Sequence, residues 1–222
     1  MLDDTPFSAV LFDLDGTLLD SLSLILASYR YTLEAHGLPA RSDAEVLEGL
    51  GTTLESQLAR WTDDPAQAAA MVDTYITHNL RVHDELVRPY PGVSELVREL
   101  HTQGTPLALV TSKRRRGAER GLAALGLSDC FAALVCGDEV TRAKPDPEPV
   151  RRALSLLGDP LPARVAFVGD AIHDIESGKG ASVFTVAVSW GAGTPDSLRA
   201  GAPDLWADDA AQLRRALRMS ET

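Results

Sequence analysis

Sulfur, positive charge and long apolar runs are all scarce in this chain. Cysteine occurs twice, as Cys130 and Cys136, and the five residues between them do not suit a redox or zinc-binding pair. Both are expected to be small, buried apolar side chains. No run approaches the roughly 18 apolar residues that span a bilayer. The opening segment, Met1 to Pro6, is acidic and lacks the basic and apolar stretches of a secretory leader, so a cytoplasmic location is expected. The 21 Lys and Arg are outnumbered by 32 Asp and Glu, giving a net charge of −11. That balance repels phosphate backbones and anionic membranes, and argues against nucleic-acid or membrane partners. Internal repeats and low-complexity segments are missing too.

What remains is an ordinary globular composition, with 45% hydrophobic and 24% charged residues. The 222 residues suffice for one large domain, or for a core carrying a modest insertion. Five short apolar runs read as buried strands: Ser8–Phe12, Pro106–Val110, Ala132–Cys136, Arg164–Val168 and Val183–Val188. Helical spacing appears between them, over Val93–Leu100, Gly117–Leu125, Pro149–Leu157 and Ile172–Lys179. Such alternation predicts a parallel sheet covered on both faces. The expected fold is a three-layer, doubly wound α/β core with strand order close to 3-2-1-4-5.

Between Ser21 and Val87 the alternation stops and only helical patterns remain. Leu22, Leu24, Ile25, Tyr29 and Leu33 form one stripe, closed by Gly37. Ser42 and Glu45 form a capping box. A third helix is expected over Thr53–Trp61 and a fourth over Pro65–Leu86, with Pro89 and Pro91 marking the return. The predicted organisation is therefore an α/β core of residues 1–19 and 88–222, interrupted by a helical cap over 20–87 that governs substrate selection.

Four polar segments each follow a predicted strand: Asp13–Thr17, Thr111–Lys113, Lys144–Pro147 and Gly169–Asp174. Ligands of open α/β sheets bind at the carboxyl ends of strands, so these segments can converge on one cleft. Any one alone reads more readily as a solvated loop. Asp13 and Asp15, two residues apart, can lean to the same side and would repel unless a cation were shared. A hard divalent ion such as Mg2+ takes a few carboxylates plus water and substrate phosphate. Asp170 offers a third acid and Asp174 lies one helical turn further on. Gly16 permits the tight turn and close approach to a small anion. Thr111 and Ser112, at the opening of a helix, suit phosphate oxygens. Lys144, stiffened by Pro145 and Pro147, can neutralise a carboxylate and a transferring phosphoryl group.

FDLDGTLLDS (Phe12–Ser21), VTSK (Val110–Lys113), AKPDPEP (Ala143–Pro149) and VGDAIHDIESGK (Val168–Lys179) resemble, in order, the four motifs of haloacid dehalogenase-like phosphatases. The helical block stands where one subclass carries its cap. The resemblance implies that Asp13 attacks phosphorus to give an aspartyl-phosphate, and that Asp15 protonates the leaving group and then activates water. It further implies Thr111 and Lys144 as phosphoryl contacts. Mg2+ would be held by the Asp13 carboxylate, the Asp15 carbonyl and Asp170, with Asp174 in support. The dehalogenase branch fits less well, since displacing halide from carbon needs neither a metal nor an acid for the leaving group.

Within the family, HDELVRPY (His83–Tyr90), KPDPEPV (Lys144–Val150) and VAVSWG (Val186–Gly191) are similar to the phosphoglycolate phosphatase and PpaX-type pyrophosphatase group. These stretches lie in linkers and scaffold, so they speak to kinship more than to substrate. The implied partner is a small phosphorylated metabolite or pyrophosphate, handled by a monomer or weak homodimer. Gly49–Thr53 is either the cap loop that closes over the site, through Thr52 and Thr53, or a simple interhelical turn. The Lys113–Arg116 run is either a solvated helix face or a source of cations for a second phosphate. His173 receives no role, Trp61, Trp190 and Trp206 are expected to pack, and Arg81 and His83 are expected at the surface. A phosphomutase of the same superfamily stays open as a rival, as does a phospho-acceptor signalling domain. A binding protein with an inactive site is opposed by the chemically intact motifs.

Overall fold

A computed structural model describes residues 7–219; the Met1–Pro6 segment lies outside them. The chain begins with β1 (Ala9–Phe12), in which all four side chains are buried. Next come β2 (Leu19–Asp20), α1 (Leu22–Ala35), α2 (Asp43–Leu47), α3 (Leu54–Leu58), α4 (Pro65–Leu86) and β3 (Arg88–Pro89). Alternation then takes over with α5 (Val93–Thr102), β4 (Leu107–Val110), α6 (Arg115–Leu125), β5 (Ala133–Val135) and α7 (Glu148–Leu156). The chain closes with β6 (Val165–Gly169), α8 (Ile172–Gly180), β7 (Phe184–Val188), α9 (Pro195–Ala200), β8 (Leu205–Ala207) and α10 (Ala210–Ala216).

The six-stranded sheet runs β5-β4-β1-β6-β7-β8 and every pairing in it is parallel. This is the expected 3-2-1-4-5 order extended at one edge by β8. That strand has three residues, too few for a periodic signal. Along β1, Val10 and Phe12 join one core while Ala9 and Leu11 join the other, the period of two that a strand imposes. Helices α5, α6 and α10 cover the first face. The second face is covered by α7, with α8 and α9 around Ile175 and Leu198. Between β1 and β6 the winding changes direction, which opens a crevice at their carboxyl ends.

The four-helix block α1–α4 leaves and rejoins the core through the antiparallel pair β2–β3, in which Leu19 faces Pro89. It has its own apolar cluster, built on Ile25, Tyr29, Leu33, Leu58, Met71 and Tyr75, with Trp61 packed against it. The Ser42–Glu45 capping box is formed. Asp64 caps α4 and Pro65 takes its first turn, where the missing N–H costs nothing. One surface expectation fails: His83 is fully buried. It falls on the inner stripe of α4 with Met71, Tyr75 and Asn79, because helical spacing carries that stripe to the end of the helix.

Both cysteines are buried and unpaired. Burial pushes the Cys136 thiol up to about 12 and raises that of Cys130. Neither thiol should react with a disulfide reagent in the folded protein, and both should react in denaturant. Rapid labelling of native protein at pH 8 would contradict this packing.

Candidate active site

Asp13 directly follows β1, and its N–H donates to the Val168 carbonyl of β6 at 2.9 Å. Asp170 directly follows β6, so the two acids stand at the ends of adjacent strands. Asp174 enters from the first turn of α8. One carboxylate oxygen from each of these three buried residues lies within 4.8 Å of the others. Lys144 reaches into the group from the loop before α7. Its Nζ is 2.6 Å from Asp174 Oδ1 and 3.1 Å from Asp13 Oδ1. The contact with Asp13 is an ion pair outside hydrogen-bonding direction, and Asp13 Oδ1 receives no hydrogen bond among the described residues.

Asp170 is clasped on both oxygens: Thr17 Oγ1 donates to Oδ1 at 3.1 Å and the Ala192 N–H to Oδ2 at 2.8 Å. Two glycines make room for it. A Cβ on Gly16, whose φ is +82°, would lie 2.1 Å from Asp170 Oδ2, and a Cβ on Gly191 would lie 2.2 Å from the same atom. Asp174 Oδ2 accepts the Ala171 N–H at 3.0 Å.

Burial pushes the Asp13 carboxyl up to about 7, against the pull of Lys144. Burial, with the charges of Asp174 and Asp13, pushes Asp170 up to about 8. Burial also opposes the Lys144 ammonium, but Asp13 and Asp174 outweigh it and hold its pKa above the ordinary lysine range. Three buried carboxylates facing one ammonium leave unbalanced negative charge. The orphaned Asp13 oxygen and the oxygen-only donor set fit a hard divalent cation such as Mg2+.

Asp15 leans away from this group. Lys113 Nζ donates to both of its oxygens at 2.9 Å, and Ser21 Oγ donates to Oδ1 at 2.6 Å. Thr111 is buried at the end of β4, where its Oγ1 accepts the Lys113 N–H at 3.2 Å. Ser112 Oγ donates to the Gly51 carbonyl of the helical block at 2.6 Å. Thr52 Oγ1 donates to the Gly49 carbonyl at 2.7 Å. Thr53 is the N-cap of α3. Asp13, Asp15 and Asp170, with Thr111, Ser112, Gly51 and Thr52, line a cavity of about 910 Å³ between the strand ends and the helical block, while Asp174, Thr53 and Lys144 are not on its wall.

Nothing in the residue pattern points to the Lys113–Asp15 ion pair. The basic run divides: Arg114 pairs with Glu55 at 2.9 Å and Arg115 with Glu139, while Arg116 faces the cavity. Gly191, which makes room for Asp170, ends the Val186–Gly191 stretch that speaks to kinship, and Ala192, which donates to Asp170, lies just beyond it. His173, given no role, sits beside Gly51 on the cavity wall.

The haloacid dehalogenase-like hydrolase family model matches residues 10–188. The chain belongs to that family. It is 42% identical over 199 residues to pyrophosphatase PpaX of Halalkalibacterium halodurans, covering 89% of this chain and 90% of that protein. Identity to pyrophosphatase PpaX of Oceanobacillus iheyensis is 38% over 200 residues, covering 90% and 92%. Among solved structures, a predicted phosphoglycolate phosphatase from Haemophilus somnus superposes with a TM-score of 0.88 at 26% identity, covering 96% and 98% of the two chains. The six-stranded parallel sheet with its helical insertion is thus the family's hydrolase fold.

Because the Asp170 pKa is raised on folding, its share of stability is present below about pH 4 and lost as pH rises through about 8. Metal-free Asp170→Asn can keep both partners, its Oδ1 accepting the Ala192 N–H and its Nδ2 donating to Thr17 Oγ1, and it loses the buried charge. At pH 8 it should exceed metal-free wild type in stability by about 1–4 kcal/mol, with the gap closing by pH 4. Magnesium should raise the melting temperature of wild type but not of the variant. Thermal unfolding with and without the ion checks both.

Proposed function

We propose that this hydrolase is a magnesium-dependent phosphohydrolase working through an aspartyl-phosphate on Asp13, with pyrophosphate or phosphoglycolate as substrate. The observation that carries the proposal is the buried Asp13 carboxylate at the floor of a large cavity, 3.1 Å from Lys144 Nζ and grouped with Asp170 and Asp174. A nucleophile needs this setting: a desolvated anion held among fixed charges. The printed names of the relatives, pyrophosphatase and phosphoglycolate phosphatase, favour those substrates.

Asp13 and Asp170 would hold Mg2+ through their carboxylates and Asp15 through its backbone carbonyl, with Asp174 in support. When bound, the ion neutralises the phosphoryl oxygens and holds them toward Asp13. An Asp13 oxygen forms a bond to phosphorus as the bridging P–O bond breaks. The electron pair stays on the leaving oxygen, which takes a proton from Asp15. Asp15, now a carboxylate, takes a proton from water whose oxygen attacks the same phosphorus, and the P–O bond to Asp13 breaks. The net reaction of pyrophosphate and water is two phosphates. Thr111 and Ser112 would contact phosphoryl oxygens, Lys144 balances charge on Asp13, and Gly16 gives the anion room.

Residues 20–87 form the cap that shelters the intermediate from bulk water, with the turn at Thr52 and Thr53 as its closing edge. The enzyme is cytoplasmic, a setting in which two unpaired thiols are ordinary.

Asp13→Asn should lower turnover by about 10³-fold or more while leaving the unfolding midpoint nearly unchanged. Wild-type turnover in this variant would end the nucleophile assignment. Asp15→Asn with p-nitrophenyl phosphate should release about one equivalent of nitrophenolate rapidly and then stall, as hydrolysis of the intermediate fails. Incubation with a hexose 1-phosphate should yield free phosphate or nothing. Isomerised sugar phosphate would instead reveal a mutase.

A further inference from the structure

The Lys113–Asp15 ion pair takes no part in those steps, although it grips the residue that moves the proton. Lys113 meets both Asp15 oxygens at 2.9 Å, and the two side chains are only 12% and 22% exposed. The lysine is aimed there by its surroundings. Its backbone N–H is fixed on Thr111 Oγ1. Its stem crosses Gly117, where a Cβ would come within 3.0 Å of Lys113 Cε and 3.3 Å of Cδ. A side chain at 117 would crowd the lysine stem.

In an in-line displacement the leaving oxygen departs opposite the attacking Asp13, and Asp15 must reach that oxygen. Lys113 therefore stands beside the leaving group. On the helical side the same cavity presents apolar residues, among them Leu22, Ile25, Leu47, Leu50, Leu54 and Ile76. Arg114 is held by Glu55 and Asp138. Arg116 also faces the cavity, and no ion pair engages it among the described residues.

We propose that Lys113 is the specificity-determining residue for the leaving group, favouring phosphates whose leaving group carries its own negative charge. The inference rests on the phosphohydrolase function above, and both candidate substrates belong to the class. In the free enzyme Lys113 clamps Asp15. An anionic leaving group, phosphate or a carboxylate, competes for the ammonium and draws it away. Asp15 then loses two of its three hydrogen bonds, takes a proton from water and turns toward the leaving oxygen. A leaving group without charge cannot draw Lys113 off, and the acid stays clamped. Recognition and release of the proton donor are thereby one event.

The test is steady-state kinetics of the magnesium-loaded protein on pyrophosphate, 2-phosphoglycolate and phenyl phosphate, whose leaving group is uncharged. In Lys113→Met the ratio of kcat/KM for either anionic substrate to that for phenyl phosphate should fall by about tenfold or more, the scale of one lost charge-assisted contact. Lys113→Arg should retain most of the ratio. A merely structural role would lower all three substrates together, and an unchanged ratio would overturn the proposal. If Lys113→Met does not fold, Lys113→Gln gives the same ratio against Lys113→Arg and decides in the same way. A different result marks failure of the underlying function: wild type that cleaves none of the three, or Asp13→Asn that cleaves them as well as wild type.

Discussion

Like charge gathered out of water is the constraint around which this molecule is arranged. Asp13, Asp170 and Asp174 share a space smaller than a single turn of helix, and one buried lysine answers them. The parallel sheet makes such crowding possible, because adjacent strands end side by side and hold their carboxyl-end residues at fixed spacing. The cost falls on the loops. Positions 16 and 191 have no space for a side chain beyond hydrogen, and Thr17 and Ala192 spend their donors on Asp170. The rest of the core, apolar on both faces of the sheet, supplies the stability against which this strain is set.

The layout of the core was legible because strands buried on both faces must be apolar throughout, and the runs ending at Phe12, Val110 and Val168 have no other use. The polar residues beyond them, Asp13, Thr111 and Asp170, were legible for the same reason, since polarity switches on within one or two residues. Shorter pieces escaped. The two-residue strands β2 and β3 and the three-residue β8 complete at most one repeat of the two-residue strand period, and α9 and α10 have only six and seven residues. His83 was misjudged by composition: a titratable residue near a linker looks exposed until the stripe of α4 is followed to its end. Lys113 was masked by its neighbours. Four consecutive basic residues read as one feature, yet successive side chains on a turn diverge, and each of these found a different partner or none.

Kinship and chemistry divide differently along the chain. The family model covers residues 10–188, and within it Asp13, Thr111 and Asp170 follow strand ends, while Asp174 stands on the first turn of α8 and Lys144 on the loop before α7. The helical block meets that floor at few polar points, among them the Ser112–Gly51 hydrogen bond and the Arg114–Glu55 ion pair. Its remaining surface over the cavity is largely apolar. Chemistry is thus written in the sheet, while the size and polarity of the chamber are written in the insertion.

The β2–β3 pair carries a further consequence. Because Leu19 and Pro89 are directly opposed, the whole helical block enters and leaves the core at a single point. To the sheet it is one long loop with its ends already joined, and closure entropy grows only slowly with the length of a loop. The core therefore has little thermodynamic stake in what the loop contains. Helices can be lengthened, exchanged or lost there while β1 stays in register with β4 and β6, so the chamber over the strand ends can be reshaped without moving Asp13 or Asp170.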